Sequence, residues 1–243
     1  MAQLIYDGTN IHELCAVEQL IFKAMPDVRE TSQEVPGRDG AVLLGADLAP
    51  LDIVARLRVA AAGIEPAQVQ AAWREIAPKL RRTEPCRLSY GTDVYYMAIV
   101  VGATDIQQIS YSGTVEVTFR CFDPIAYGDD KTAQVPSGGS VEITVGGTYK
   151  TALKIEAPAA VRDSSSGYWG IRVDDADFVH IATGSSASRR VVVDSGKRTA
   201  TVAGSTALPS IDSDWLVLSP GTHNVSNDLG SGGAVISWTE RWL

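Results

Sequence analysis

Residues 213–243 read SDWLVLSPGTHNVSNDLGSGGAVISWTERWL, and the last ten of them decide the fold. In AVISWTERWL, Ile236, Trp238 and Trp242 share one parity, while Ser237 and Thr239 take the other. This alternation predicts a β-strand with one buried face, and indole rings are costly to leave in water. We therefore predict that this strand belongs to a β-sandwich and that its two indoles fill the core.

The chain before this strand repeats the same pattern from about residue 127 onwards. Short alternating segments are separated by turns, and Asp194, Ser195 and Gly196 mark the turn of one hairpin. Repeated short strands of this kind are typical of a sandwich or barrel. The segments are SVEITV (140–145), ALKIEA (152–157), YWGIRV (168–173) and the hairpin RRVVVDSGKRTATVAG (189–204).

A change of composition divides the chain. The stretch AYGDDKTAQVPSGGS (126–140) is rich in Gly, Ser, Asp and Pro, and helical periodicity is found only before it. Such a stretch is typical of a linker or turn region. We therefore predict two domains, residues 1–126 and residues 127–243.

The first domain combines strands with one helix. In EPAQVQAAWREIAPKLRR, Val69, Trp73, Ile76 and Leu80 form a single apolar stripe, which predicts a helix over about residues 65–81 that lies on a sheet. In GTVEVTFRCF (113–122) apolar and polar residues alternate, as in a strand with one buried face.

A second strand of the first domain has apolar residues on both faces. The segment VYYMAIVV (94–101) therefore needs cover on both sides, either from the helix or from another subunit. We select it as a candidate subunit-interface strand, with the interface residues Val94, Tyr96, Ala98, Ile99, Val100 and Val101. Between earlier strands, Pro36-Gly37 and Asp39-Gly40 are consecutive turn signals.

Composition excludes several classes of protein. The 243 residues are 45% hydrophobic and carry a net charge of -8, so the chain is too apolar for disorder and lacks a basic nucleic-acid footprint. No stretch approaches the ~20 apolar residues of a membrane span, and we expect a soluble protein made in the cytosol, without membrane insertion or specific nucleic-acid binding.

No catalytic or metal-binding pattern emerges from the sequence. His12, His180 and His223 are isolated from one another, and the three cysteines lack the spacing of a zinc site or disulfide framework. The carboxylates at 174, 175 and 177 lack the glycine and distal glutamate of an EF-hand loop, so a strand-to-strand turn is the better interpretation. We predict no catalytic residue, no cofactor and no metal.

Three stretches together resemble the distal tail protein (Dit) family of phages with long, non-contractile tails. The first is VPGRDGAVLLGADLAPLDIVARLRV, the second is VEVTFRCFDPIAYG, and the third is WLVLSPGTHNV followed by AVISWTERWL. The resemblance covers nearly the whole chain in order. Its motif residues are Pro36, Gly37, Arg38, Asp39, Gly40, Phe122, Asp123, Pro124, Pro220, Gly221 and Trp238.

The resemblance implies a fold and a function. It implies a mostly β protein, in which an N-terminal split β-barrel with a helix builds a homohexameric ring and a galectin-like β-sandwich projects outwards. It also implies a virion component at the tail tip, without enzymatic activity, assembled in the host cytoplasm. The implied partners are the tail tube protein, the tail-associated hub protein and receptor-binding proteins or host glycans, and the ring lumen is implied to pass DNA.

Two other hypotheses remain at this point. The sandwich could be a carbohydrate-binding adhesion module for host cell-wall glycans, in which aromatic side chains such as Tyr149 or Tyr168 stack on sugars. The strand parity of the tryptophans favours core packing instead. A cell-wall hydrolase would need a pair of suitably placed carboxylates or a metal triad, and the sequence suggests neither.

Overall fold

The structure is a computed structural model that describes residues 3–60, 66–103, 107–109 and 112–243. The chain separates into two compact units, Met1–Ala126 and Tyr127–Leu243. Each unit has a hydrophobic core of its own. The mostly β architecture predicted from the sequence is confirmed, and α1 (Pro66–Leu80) is the α-helix of the described residues.

The first unit is built on one antiparallel sheet of order β2-β1-β7-β8-β10-β6-β3, with β9 paired to β10 and the hairpin β4–β5 standing apart. Its strands are β1 (Leu4–Tyr6), β2 (Thr9–Asn10), β3 (Ala16–Ile21), β4 (Val28–Glu34), β5 (Ala41–Leu48), β6 (Leu51–Ala60), β7 (Cys86–Tyr90), β8 (Tyr96–Ala103), β9 (Gln107–Ile109) and β10 (Ser112–Cys121).

This sheet curls towards itself but its two ends do not pair. A 3₁₀ helix at Ile11–Glu13 lies between β1 and β3, and the ring of Phe22, just after β3, contacts Tyr90 of β7 at a centroid distance of 5.3 Å. A groove of about 420 Å³ remains between these elements. Since side chains close the barrel where hydrogen bonds do not, the arrangement is a split barrel.

The helix prediction is confirmed within the described residues. Val69, Trp73, Ile76 and Leu80 are all buried in the core of the first unit, where α1 packs against β6 and β10. Burying one such side chain contributes ~1.5–3 kcal/mol. The predicted first position of the helix, residue 65, lies outside the described residues.

The strand β10 also follows its sequence pattern. Val115, Val117, Phe119 and Cys121 are buried, and β10 pairs along its whole length with β6, from Ser112 to Cys121. The alternate residues of β6 are buried as well, so the two longest strands of the first unit present one continuous apolar face to α1.

The second unit is a sandwich of two antiparallel sheets, ordered β11-β22-β14-β17-β18-β19 and β12-β21-β15-β16, with a small sheet of β13 and β20. Its strands are β11 (Ala126–Val135), β12 (Ser140–Val145), β13 (Thr151–Ala152), β14 (Lys154–Ala160), β15 (Tyr168–Val173), β16 (Asp177–Ala182), β17 (Arg189–Asp194), β18 (Thr199–Val202), β19 (Ser205–Ala207), β20 (Val217–Leu218), β21 (Gly221–Leu229) and β22 (Ala234–Trp242).

The last strand lies inside the sandwich, as predicted, but one of its indoles does not. Ile236 is fully buried and Trp238 is 7% exposed, whereas Trp242 is 38% exposed. The prediction that Trp242 fills the core is therefore wrong. The pairing of β22 with β14 ends at Ser237, and the Trp242 indole instead lies against Gly128 of β11.

The end of β22 is held by a glycine-containing turn. The backbone N–H groups of Thr148 and Tyr149 both donate to the carbonyl of Arg241, at 2.9 and 3.0 Å. Gly147 has φ +92°, and a Cβ there would come within 2.2 Å of the same carbonyl oxygen. Only glycine allows so close an approach.

Candidate assembly surfaces

The candidate interface strand is an inner strand of the first sheet. β8 begins at Tyr96, two residues later than predicted, so Val94 precedes it. Its backbone pairs with β7 on one side and with β10 on the other. A partner could therefore reach β8 only through side chains.

The structure divides the five candidate residues that lie in β8 between two faces. Ala98 is buried, and Tyr96 and Val100 pack against the core of the first unit. Ile99 lies opposite Arg120 of β10, on the other face of the sheet, and Val101 on that face is 45% exposed. The second apolar face of the sequence pattern is thus only partly covered within one chain.

Ion pairs flank Ile99 and Val101, the apolar strip of β8, on the outer face of the sheet. Arg120 binds both carboxylate oxygens of Asp52, at 2.8 Å each, and its hydrogen bond lowers the pKa of Asp52. Glu18 of β3 contacts Arg58 at 2.7 Å and Arg56 at 3.5 Å. Partly exposed pairs of this kind contribute little stability, but an apolar centre with a polar rim is typical of protein interfaces.

The hairpin β4–β5 is exposed along most of its length. None of its residues is buried, and it pairs with no other strand of the described chain. Leu43 and Leu44 are 60% and 61% exposed, and Val28 is exposed as well. A two-stranded hairpin alone is only marginally stable in water, so this element is suited to contact a partner.

The first family motif forms the tip of this hairpin. Pro36, Gly37, Arg38, Asp39 and Gly40 are all exposed, and the N–H of Arg38 donates to the carbonyl of Val35 at 3.2 Å. The two glycines have φ of +80° and +79°. The predicted turn is confirmed, but sequence reasoning missed β4, because VRETSQE is polar on both faces and carries no apolar period.

The second motif forms a turn after β10. The carboxylate of Asp123 accepts a hydrogen bond from the N–H of Ile125 at 3.2 Å, an Asx turn that precedes β11. Pro124 lies within the turn, and Phe122 is exposed.

The third motif is tied to the turn between β15 and β16. Pro220 and Gly221 follow Ser219, whose carbonyl accepts from Nε2 of His223 at 2.7 Å; Nδ1 of the same ring lies 2.5 Å from the Asp174 carboxylate. Burial alone would lower the pKa of His223, but these bonds and the carboxylate charge outweigh it and raise the pKa. The hydrogen bond from His223 in turn lowers the pKa of Asp174.

The other two histidines and the two buried cysteines are engaged in packing or hydrogen bonds. Nδ1 of His12 accepts from the N–H of Leu4 at 3.3 Å, and His180 contacts Asp228 at 3.1 Å. Burial raises the pKa of Cys15 to about 11 and that of Cys121 to about 12, so these thiols stay protonated at neutral pH. Among the described residues no cluster of three metal-ligating side chains is found.

The aromatic side chains proposed for sugar stacking are partly buried. Tyr149 and Tyr168 are half-buried rather than exposed, and the guanidinium of Arg241 lies over the rings of Tyr149 and Tyr127 at 5.4 and 5.3 Å. Trp169 is fully buried and donates from Nε1 to the carbonyl of Gly232. Tyr149 is thus covered by Arg241, and Trp169 belongs to the core.

Comparisons with known proteins agree with this architecture. Residues 6–121 match the family model of the phage tail protein RIFT-related domain, and residues 146–242 match that of the siphovirus-type tail component, C-terminal domain. No curated protein sequence matches the chain. Within the described part of the chain, no helix has the length and hydropathy needed to cross a bilayer.

The same fold over the whole chain is found in a solved structure. The crystal structure of phage SPP1 Dit, described as a paradigm of the hub adsorption apparatus in phages that infect Gram-positive bacteria, covers 100% of both chains with a TM-score of 0.81 and 17% identity. Chains from the phage P2 baseplate in its activated conformation, with Ca and with Sr, give TM-scores of 0.46 and 0.44 at 10% identity, covering 98% and 97% of this chain and 97% and 98% of theirs.

A RIFT-related domain followed by a tail-component sandwich defines a structural component of a bacteriophage tail. The chain belongs to the siphovirus distal tail protein family, the Dit proteins. It is accordingly a virion protein of the tail and baseplate hub, as the sequence resemblance implied.

Proposed function

We propose that this protein is a ring-forming adaptor, in which residues 1–126 assemble a homohexamer at the distal end of the tail. The observation that carries the proposal is the hairpin β4–β5, which exposes Leu43 and Leu44 and pairs with no other described strand. Ile99 and Val101 on the outer face of β8 form a second apolar surface that is only partly covered within one chain. When two different patches on one chain meet, the contact is heterologous, and such contacts form a ring when the rotation between successive copies closes.

The ring joins the tail tube protein on one side and the tail-associated hub protein on the other, and its lumen passes DNA. The net charge of -8 is compatible with this role, because a negatively charged protein surface repels the phosphate backbone. Assembly takes place in the host cytoplasm, and residues 127–243 carry contacts to receptor-binding proteins. The adaptor has no catalytic activity and uses no cofactor.

The carbohydrate-binding alternative has less support. Glycan-binding platforms need exposed aromatic faces, and the tyrosines considered for this purpose are half-buried, one of them against Arg241. Saturable binding of host cell-wall glycans to the intact protein would be needed to support the carbohydrate-binding alternative.

The oligomeric state of the purified chain tests the proposal. Six copies of the 25.9 kDa chain give 6 × 25.9 = 155.4 kDa by light scattering after size exclusion. The double variant Leu43→Asp, Leu44→Asp should run at the monomer mass, while Thr31→Asp, Gln33→Asp, which adds the same charge to exposed polar positions of β4, should keep the ring. A wild-type monomer that stays monomeric with purified tube and hub proteins would contradict the proposal.

A further inference from the structure

Two apolar side chains stand in solvent on the surface of the second unit. Leu208 is 83% exposed and Ile211 is 99% exposed, the highest values for large apolar residues in the described part of the chain. Both lie in residues 208–214, which connect β19 to β20 and which we call the knob segment. Single exposed apolar residues are common on protein surfaces. What matters is therefore whether the backbone holds Leu208 and Ile211 in a fixed position.

The backbone of the knob segment is fixed against β16. The N–H groups of Ser210 and Asp214 donate to the carbonyls of His180 and Phe178, at 2.8 Å each. The hydroxyl of Ser213 accepts from the N–H of His180 at 2.9 Å and lies 2.8 Å from the hydroxyl of Ser210. The segment thus covers the edge of β16, as edge strands require.

This edge protection needs the backbone and the two serines, but not Leu208 or Ile211. The hydrogen bonds hold the segment in one conformation, so the two side chains are displayed without the loss of loop entropy that ordering a free loop on binding would cost. A side chain that is already ordered before binding leaves more of its contact energy for affinity.

The surroundings of the knob are acidic. Asp212 and Asp214 belong to the segment, and Asp177 precedes Phe178, whose carbonyl the segment binds. These three carboxylates are exposed and have no ion-pair or hydrogen-bond partner among the described residues. The nearby guanidinium of Arg172 is already bound to Asp228 at 3.0 Å, so the knob keeps its negative charge.

This charge decides between the possible occupants. Anionic lipid surfaces and nucleic acid repel carboxylates, and a second copy of the knob would bring acidic groups together. A protein with an apolar pocket and a basic rim is complementary in both shape and charge.

We propose that the knob segment docks a second tail protein through an apolar pocket bordered by lysine or arginine. Ile211 and Leu208 enter the pocket, and the carboxylates of Asp212 and Asp214 pair with its rim. The placement of the partner in the tail rests on the proposed function, whereas the contact itself does not depend on the hexameric state.

Photo-crosslinking in assembled tails tests this contact. A benzophenone amino acid replaces Ile211 in the full chain, and the same amino acid at the exposed Thr144 of β12 is the matched control. We expect position 211 to give a crosslink to one other tail protein, at a peptide in which apolar residues adjoin lysine or arginine. A crosslink to a second copy of this chain, or a yield no higher than at position 144, would overturn the proposal.

Two variants sharpen the result. With the benzophenone at position 208, Ile211→Ser and the pair Asp212→Lys, Asp214→Lys should each lower the yield at least tenfold, with unchanged melting temperature because all three side chains are exposed. A yield that ignores both variants would also refute the docking model. Light scattering on the purified chain separates the two proposals, since a hexamer mass together with no crosslink from position 211 of the otherwise unchanged chain contradicts only the docking proposal.

Discussion

The pair of His223 and Asp174 makes the stability of the second unit depend on pH. Both ring nitrogens of His223 face acceptors, the Asp174 carboxylate at 2.5 Å and the Ser219 carbonyl at 2.7 Å. Both bonds form fully only in the imidazolium, since a neutral ring has one N–H to donate. The folded state therefore raises the pKa of His223 above its ordinary value.

The sign of the effect follows from this direction. The stabilisation is fully present below the unfolded pKa of about 6.5 and is lost as the pH rises through the raised folded pKa. Asp174, whose pKa is lowered, has the opposite pH dependence. Its contribution is present above its unfolded pKa and is lost as the pH falls through the folded pKa. The pair should be most effective at about pH 5–6.

The magnitude is modest because the site is partly open to water. A hydrogen bond to a charged group is worth ~1.5–3 kcal/mol, and the 46% exposure of the Asp174 side chain reduces this to about 1 kcal/mol. For a unit of this size, 1 kcal/mol corresponds to about 3–5 °C in melting temperature. We expect the unit to lose that much as the pH rises from the unfolded pKa through the raised folded pKa of His223.

Thermal melting of the full chain, followed by tryptophan fluorescence from pH 5 to 8.5, measures this loss. His223→Gln removes the charge, so its melting temperature should vary less with pH, whatever its absolute stability. His12→Gln in the first unit is the control and should keep the wild-type slope. An identical slope in His223→Gln and wild type, or a wild type that becomes more stable towards pH 8.5, would refute the reasoning.

Three further outcomes follow from the packing. Trp238→Ala should cost ~3–5 kcal/mol in urea unfolding, whereas the exposed Trp242→Ala should cost under ~1 kcal/mol; equal losses would contradict the burial difference. Gly147→Ala should destabilise the second unit by ~2 kcal/mol or more through the clash with the Arg241 carbonyl, and a neutral result in the same assay would exclude that close approach. Ile99→Asp, on the outer face of β8, should disrupt either folding or the ring, and a correctly folded hexamer by circular dichroism and light scattering would remove β8 from the interface.

The short-range sequence pattern was enough to predict a helix or strand wherever one face of that element is buried. The stripe of α1 and the alternation of β10 identify their buried sides correctly, because each periodicity is a property of the element's own geometry. The same reasoning placed β22 in the sandwich. The turn at 36–40 was also predictable, since glycine is favoured where φ is positive.

The candidate assembly surfaces were predictable only in part, since the pattern of β8 indicated a strand with two apolar faces but not which face is open. The polar strand β4 has no buried face to produce a pattern, and the two faces of β8 look alike in sequence although one faces the core and the other is partly open. Residues 208–214 contain no periodicity at all, and only the hydrogen bonds to β16 reveal that Leu208 and Ile211 are held in solvent.

The sequence by itself determined the mostly β class, the helix, the strand that ends the chain and the tail-protein family, because these depend on local periodicity and on motifs contiguous in the chain. Only the tertiary structure decided that Trp242 leaves the core, that β8 is an inner strand, and that His223 meets a carboxylate 49 residues away. Such features depend on which strands become neighbours, and that pairing follows from the packing of the whole unit.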